Sequence, residues 1–339
     1  MFCRRYQAYL TGSYIYWDRE VEREMQKDRV MNVLPRSIRT AVGREQLDIS
    51  RLQELRLRAE KPLILICDGR ERIVRDQRDE PYMVTEEEVR EMLQYISNYS
   101  LYAYEQEMKQ GFITVEGGHR VGLTGQAVIE NGRVKNLRYV SSINLRMSHE
   151  VLGCADLIFP YITREGRLYH TLIISPPGCG KTTLLRDLVR QISDGNRWID
   201  GMAVGVVDER SEIGGCYRGI PQNQLGMRTD ILDGCPKAEG MTMMLRSMSP
   251  KVLAVDEIGT AEDVHAVEYA MHCGCRLIAT AHADSMEELR RKPLFDRMVA
   301  EKRFERYVIL ENGEQVGQVG GIFDCRGSLI YRAAAADLC

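Results

Sequence analysis

The stretch Thr171-Leu-Ile-Ile-Ser-Pro-Pro-Gly-Cys-Gly-Lys-Thr-Thr-Leu-Leu185 limits the possible folds more than any other part of the chain. Leu172 to Ile174 is a short apolar run that reads as a buried strand. It stops at Ser175-Pro176-Pro177-Gly178-Cys179-Gly180, where prolines and glycines forbid regular structure. From Lys181 the pattern turns helical, with Leu184, Leu185, Leu188, Val189 and Ile192 on one face. Strand, glycine-rich turn and helix, in that order, predict an α/β domain.

The residue types in the turn suit a phosphate. Gly178 and Gly180 lack a Cβ, so the backbone can curl and aim its N–H groups at a polyphosphate. The first turn of the helix adds unpaired N–H donors and a partial positive charge. In such a loop Lys181 reaches the terminal phosphates and the Thr182 hydroxyl ligates Mg²⁺. The expected nucleotide-binding residues are Ser175, Pro176, Pro177, Gly178, Cys179, Gly180, Lys181, Thr182 and Thr183. Ser175 stands where the G-x-x-x-x-G-K-[ST] pattern has its first glycine, a position that shapes the turn and does not touch the phosphates. Oxidation or alkylation of Cys179, inside the loop, is expected to block nucleotide binding.

At 339 residues the chain has room for two domains with separate cores. Its net charge of −3 gives no reason to expect a nucleic-acid partner. No run approaches the length of a membrane span, and Met1-Phe-Cys-Arg-Arg-Tyr-Gln7 lacks the apolar core of a signal peptide. The expectation is a cytoplasmic protein without direct membrane insertion. The 10 cysteines are scattered with no C-x-x-C pair, which argues against a zinc site.

Residues 1–30 read as a charged N-terminal extension. Residues 31–150 read as a smaller α+β domain. Ile38, Val42 and Leu47 fit a short helix, Leu55–Arg58 and Pro62–Cys67 fit strands, and Thr85-Glu-Glu-Glu88 is a capping box opening a helix. A further helix is expected over Ser100–Gln110, with Tyr99, Tyr102 and Tyr104 filling core. Asn131-Gly132 signals a two-residue hairpin turn. Residues 151–339 read as the nucleotide domain: a helix over Cys154–Ile162, the loop strand, then apolar runs Ala203–Val207, Val252–Val255 and Arg276–Thr280 separated by helices. Such runs fit a mainly parallel sheet, whose ligand sits at the carboxyl ends of its strands.

The strand ends carry acids. Lys251-Val-Leu-Ala-Val-Asp256-Glu257 follows the Walker B pattern, in which Asp256 holds Mg²⁺ through water and Glu257 polarises an attacking water. Val206-Val207-Asp208-Glu209-Arg210-Ser211-Glu212 is a second strand running into acids, and Ile278-Ala-Thr-Ala-His282 ends the next in a histidine. Without an N-K-x-D segment to read guanine, the expected nucleotide is ATP.

The order of phosphate loop, acidic box, Walker B and histidine box resembles the secretion (type II and type IV traffic) ATPases, which are RecA-like P-loop enzymes. Glu54-Leu-Arg-Leu-Arg58, Gly111-Phe-Ile-Thr-Val-Glu-Gly-Gly-His-Arg-Val-Gly-Leu123, Val207-Asp-Glu-Arg-Ser-Glu212, Cys235-Pro-Lys-Ala-Glu-Gly240 and Arg246-Ser-Met-Ser-Pro250 resemble the stage III sporulation AA family. That resemblance covers roughly residues 30–335. It implies an α/β fold with a RecA-like P-loop core, and a Mg-dependent ATPase working as a homo-oligomer, a hexamer. It further implies a cytoplasmic motor that serves a mother-cell-to-forespore channel and meets the membrane through partner proteins. The family's catalytic glutamate maps to Glu209 or Glu212, which leaves Glu257 and Glu209 as competing bases. Its phosphate-reaching arginines map to Arg146, Arg210 and Arg246, and His282 to a γ-phosphate reporter. Thr260 departs from relatives that carry arginine after Glu-Ile-Gly. Two rival readings are an ATP-gated ring scaffold with little hydrolysis and a nucleic-acid translocase. The acidic balance argues against the second.

Overall fold

The computed structural model describes residues 9–10, 15–16, 30–45, 48, 51–97, 107, 111–313 and 316–333. The expected extension over 1–30 and helix over Ser100–Gln110 lie almost wholly outside the described residues, as do Leu47, Tyr99, Tyr102 and Tyr104. The chain divides into two units, Met1–His149 and Glu150–Cys339.

The first unit holds a short antiparallel pair, β1 (Tyr9–Leu10) and β2 (Ile15–Tyr16). Helix α1 (Arg36–Arg44) buries Ile38, Ala41 and Val42 at the spacing of one helical face. Strands β3 (Leu52–Arg58), β4 (Ile64–Cys67) and β5 (Arg70–Ile73) follow as an antiparallel meander. Helix α2 (Glu86–Ile96) opens on the expected capping box: Thr85 Oγ1 accepts the Glu88 N–H at 3.2 Å, and Glu88 accepts the Thr85 N–H at 2.9 Å. Strands β6 (Phe112–Val115), β7 (His119–Glu130) and β8 (Arg133–Arg146) complete a six-stranded antiparallel sheet in the order β5-β4-β3-β8-β7-β6. Asn131 and Gly132 turn β7 into β8 with φ of 53° and 75°, the left-handed pair a type I′ turn requires. Strand alternation sends Leu55, Leu57, Val121, Ile143 and Leu145 into the core. The alternate residues Arg56, Arg58, Arg120, Asn144 and Arg146 line a cavity of about 390 Å³.

The second unit corrects one expectation at once. The helix expected over Cys154–Ile162 is only α3 (Phe159–Ile162), with Pro160 in its first turn. A longer helix would need a donor at Pro160 that proline lacks, so the preceding residues form tighter turns. Asp156 N–H donates to Gly153 O and Ile158 N–H to Ala155 O, both at 3.1 Å. A short pair, β9 (Thr163–Arg164) and β10 (Arg167–Leu168), leads to β11 (Thr171–Ser175) and α4 (Lys181–Asp194). Then come β12 (Val204–Asp208), β13 (Thr229–Asp233), α5 (Lys237–Ser247), β14 (Val252–Val255), α6 (Ala261–His272) and β15 (Arg276–His282). Helices α7 (Met286–Arg291) and α8 (Pro293–Ala300) precede β16 (Arg306–Leu310), β17 (Val319–Asp324) and β18 (Leu329–Arg332).

These strands form an eight-stranded sheet in the order β13-β12-β14-β15-β11-β16-β17-β18. The first six run parallel, and β17 and then β18 each join antiparallel to the strand before. Every residue of β11, β12 and β14 is buried, as expected where helices cover both faces of a parallel sheet. Leu184, Leu185, Leu188, Val189 and Ile192 of α4 are wholly buried, each contributing about 1.5–3 kcal/mol. Thr260 caps α6, accepting the Asp263 N–H at 3.1 Å while Asp263 accepts the Thr260 N–H at 3.0 Å, so this residue has a helix-starting task of its own. Among the described residues no helix is long and apolar enough to cross a membrane.

Candidate functional site

The parallel register brings Ser175, Asp256, Glu257 and His282 to one end of the sheet. Ser175, the last residue of β11, pairs with His282, the last of β15. Val255 pairs with Ala279, so Asp256 leaves β14 beside Thr280. Ser175 is wholly buried, still within the strand, and its hydroxyl donates to Pro176 O at 2.7 Å. An extended strand end needs no left-handed residue, which explains why serine serves where the pattern has glycine. Gly178 and Gly180 do need the freedom: their φ values are 83° and 89°, and Gly180 is the N-cap of α4.

Lys181 opens the helix and is 6% exposed. Its ammonium donates to Ser175 O and Pro176 O, both at 3.2 Å, and to Ser175 Oγ at 3.3 Å. It also lies 3.0 Å from His282 Nδ1. An ammonium has only donors, so Nδ1 must accept and the imidazole proton sits on Nε2. That nitrogen donates to Glu257 Oε1 at 3.1 Å. Burial pulls the Lys181 pKa down, against the opposing pull of Asp256 and Glu257.

Thr182 Oγ1 donates to Asp256 Oδ2 at 2.6 Å, and the Thr280 hydroxyl donates to Asp256 Oδ1. Burial pushes the Asp256 carboxyl up, against those two hydrogen bonds. The Glu257 N–H donates to Thr280 Oγ1 at 2.8 Å, and Glu257 sits in the left-handed region with φ of 51°. A non-glycine residue held there marks a turn that the surroundings enforce. The other carboxylate oxygen of Glu257, Oε2, accepts from Arg210 at 2.8 Å.

Arg210 is presented by a loop braced from two sides. Asp208, buried at the end of β12, accepts the N–H groups of Glu212, Ile213 and Gly214 at 2.8, 2.9 and 2.8 Å. Its carboxyl is pushed up to about 6, chiefly by burial. From α4, the guanidinium of Arg186 donates to Glu212 O at 2.7 Å and to Ile213 O at 2.9 Å.

The contacts form two side-chain series, joined where the Glu257 N–H meets Thr280 Oγ1. One runs from Lys181 through His282 and Glu257 to Arg210, the other from Thr182 through Asp256 to Thr280. Glu209 stands outside both, its carboxylate paired with Lys237. Arg246 is exposed near the end of α5. Arg146 belongs to the first unit, where it pairs with Glu54 at 3.3 Å. Thr280 and Arg186 are not among the residues that the sequence motifs single out. Thr280 had a signal, a hydroxyl set between Ala279 and Ala281 in an otherwise apolar strand.

A sequence model of the family described as sporulation stage III, protein AA, matches residues 24–330. The chain belongs to that family. Stage III sporulation protein AA of Bacillus subtilis (strain 168) is 43% identical over 314 residues, 92% of this chain and 100% of that protein. Among solved structures, the ATPase DotB of Legionella pneumophila matches with a TM-score of 0.56 at 15% identity, covering 85% of this chain and 80% of its own. The pilus retraction motor PilT, solved with bound ADP, matches with a TM-score of 0.54 at 14% identity, covering 88% and 83%. At such identities the likeness is one of fold. This chain thus has a RecA-like α/β fold, with a mainly parallel sheet in its second unit.

Proposed function

We propose that this chain binds ATP with Mg²⁺ on the 175–183 loop and hydrolyses it to ADP and phosphate. The observation that carries the reading is the 2.6 Å contact between Thr182 and Asp256. It joins the first turn of α4 to the end of β14 at the place where a phosphate-bound cation needs a hydroxyl and a carboxylate. The donor set suits magnesium, a hard cation that takes one or two carboxylates together with substrate phosphates. Bound there, the ion would neutralise charge on the β- and γ-phosphate oxygens.

The remaining work falls to the chain. The loop N–H groups and the dipole of α4 bind the phosphates. Lys181 exchanges its carbonyl and imidazole partners for phosphate oxygens. Glu257 orients the attacking water, with His282 and Arg210 fixing its carboxylate. Glu257 is favoured over Glu209 as the base because it shares a contact chain with Lys181, whereas Glu209 is engaged by Lys237. Residues 151–339 form the catalytic domain in this reading, with 31–150 an accessory domain and 1–30 an extension. Family membership supports a cytoplasmic homo-oligomer, a hexamer, that energises or assembles a mother-cell-to-forespore channel and reaches the membrane through channel proteins.

Lys181→Ala tests this directly. Binding of a labelled ATP analogue and phosphate release are measured on the oligomer resolved by light scattering. Loss of saturable binding and of turnover is the expected result. Full turnover in the variant would refute the proposal.

A further inference from the structure

Strand β16 runs parallel to β11, with Ile309 opposite Ile174, so the chain leaves β16 beside the phosphate loop. In the turn into β17, where the Glu311 N–H donates to Gln318 O at 3.0 Å, Asn312, Val316 and Gly317 lie against that loop. The Gly317 N–H donates to Cys179 O at 3.0 Å. The Cys179 thiol donates to Asn312 Oδ1 at 3.0 Å, and Cys179 is 5% exposed despite its place in a loop. A Cβ on Gly180 would stand 2.5 Å from Val316 Cγ1 and 2.6 Å from Gly317 N, so the two backbones touch with no room for a side chain.

The carbonyl of Cys179 and the N–H of Gly180 belong to one trans peptide plane and point in opposite directions. Holding that carbonyl against Gly317 therefore aims the Gly180 N–H away from the turn. A flipped peptide would instead offer a carbonyl where the loop should offer a donor. Both groups that would have to move in such a flip, the Cys179 carbonyl and the packed Gly180, are held by this turn.

We infer that the β16–β17 turn positions the phosphate loop, with Asn312 acting through Cys179 and Gly317 through the peptide that follows it. Its importance for nucleotide affinity rests on the ATP reading above, but the contact itself can be tested without nucleotide. Maleimide labelling of the native full-length chain, followed cysteine by cysteine by mass spectrometry, reports the Cys179 thiol. Cys275, a buried thiol in another part of the unit, serves as the internal reference for general loosening.

Asn312→Ala should speed labelling of Cys179 about fivefold relative to Cys275, as expected for the loss of one hydrogen bond. Asn312→Asp keeps the acceptor and should label no faster than wild type. The dissociation constant of a non-hydrolysable ATP analogue should rise by a similar factor in Asn312→Ala, with turnover at saturation within about twofold of wild type. Unchanged Cys179 labelling in Asn312→Ala, or parallel acceleration at Cys179 and Cys275, would overturn the inference. Labelling that shifts as expected in a chain that binds no ATP analogue would sink the nucleotide reading and leave the turn as a holder of the loop.

Discussion

Replacing Gly180 with alanine perturbs the loop over residues 175–183 where it packs against Val316 and Gly317. Two costs add. At φ of 89° an L-residue pays roughly 1–2 kcal/mol for the left-handed region. The new methyl would also lie 2.5 Å from Val316 Cγ1 and 2.6 Å from Gly317 N, an overpacking that costs about 1–3 kcal/mol. The sum is about 2–5 kcal/mol. Gly178 is the matched control: its φ is 83°, but nothing lies within 4 Å of its Cβ position, so Gly178→Ala carries only the first cost. Urea denaturation of both variants beside wild type should place Gly180→Ala about 1–3 kcal/mol below Gly178→Ala. Equal losses would refute the steric reasoning, since the turn would then yield to a methyl without penalty.

Glu257→Gln should lower turnover by about 10²–10⁴ while MgATP binding persists, and Glu209→Gln should stay within a few-fold of wild type. The reverse ranking in steady-state phosphate release would move the general base to the acidic box. Asp208 sets a pH dependence of stability. A carboxyl at about 6 in the fold, against 3.8 in the open chain, takes up a proton on folding between those values. Its contribution is complete below about pH 4 and is lost as the pH rises through 6. A gap of about two pH units, at about 1.4 kcal/mol each, amounts to up to about 3 kcal/mol. The stability difference between wild type and Asp208→Asn should therefore shrink by up to that amount from pH 4 to pH 7 in urea titrations. A difference that grows with pH would mean that the three N–H bonds outweigh burial.

Where a local pattern dictates the backbone, the sequence was a sufficient guide. Asn131-Gly132 made its hairpin, Thr85 capped its helix, and the apolar runs before Ser175 and Asp256 became buried strands. Where the decision is tertiary, the sequence was mute. Strand β13, Thr229–Asp233, alternates weakly because it lies at the sheet edge, and only its pairing with β12 reveals it. Pro160 outweighed the helical periodicity of residues 154–162, a local signal that the apolar spacing concealed. In the site, the motifs pointed to Lys181, Thr182, Asp256, Glu257 and His282. The joining of His282 to Lys181 and of Arg210 to Glu257 depends on strand register, which no spacing of residues encodes. Asn312 lay in no motif at all, because its task is to meet a cysteine 133 positions away.

The oxygens of Ser175 and Pro176 already surround the Lys181 ammonium in the chain itself. On the proposed function, a polyphosphate arriving at this loop competes with an internal mimic, so the measured affinity reports a swap of partners. In that reading the same oxygens would take the lysine back when product leaves, so its ammonium would never be left without acceptors. A chain that turns over ATP, as proposed, would gain more from that exchange than from a tighter grip.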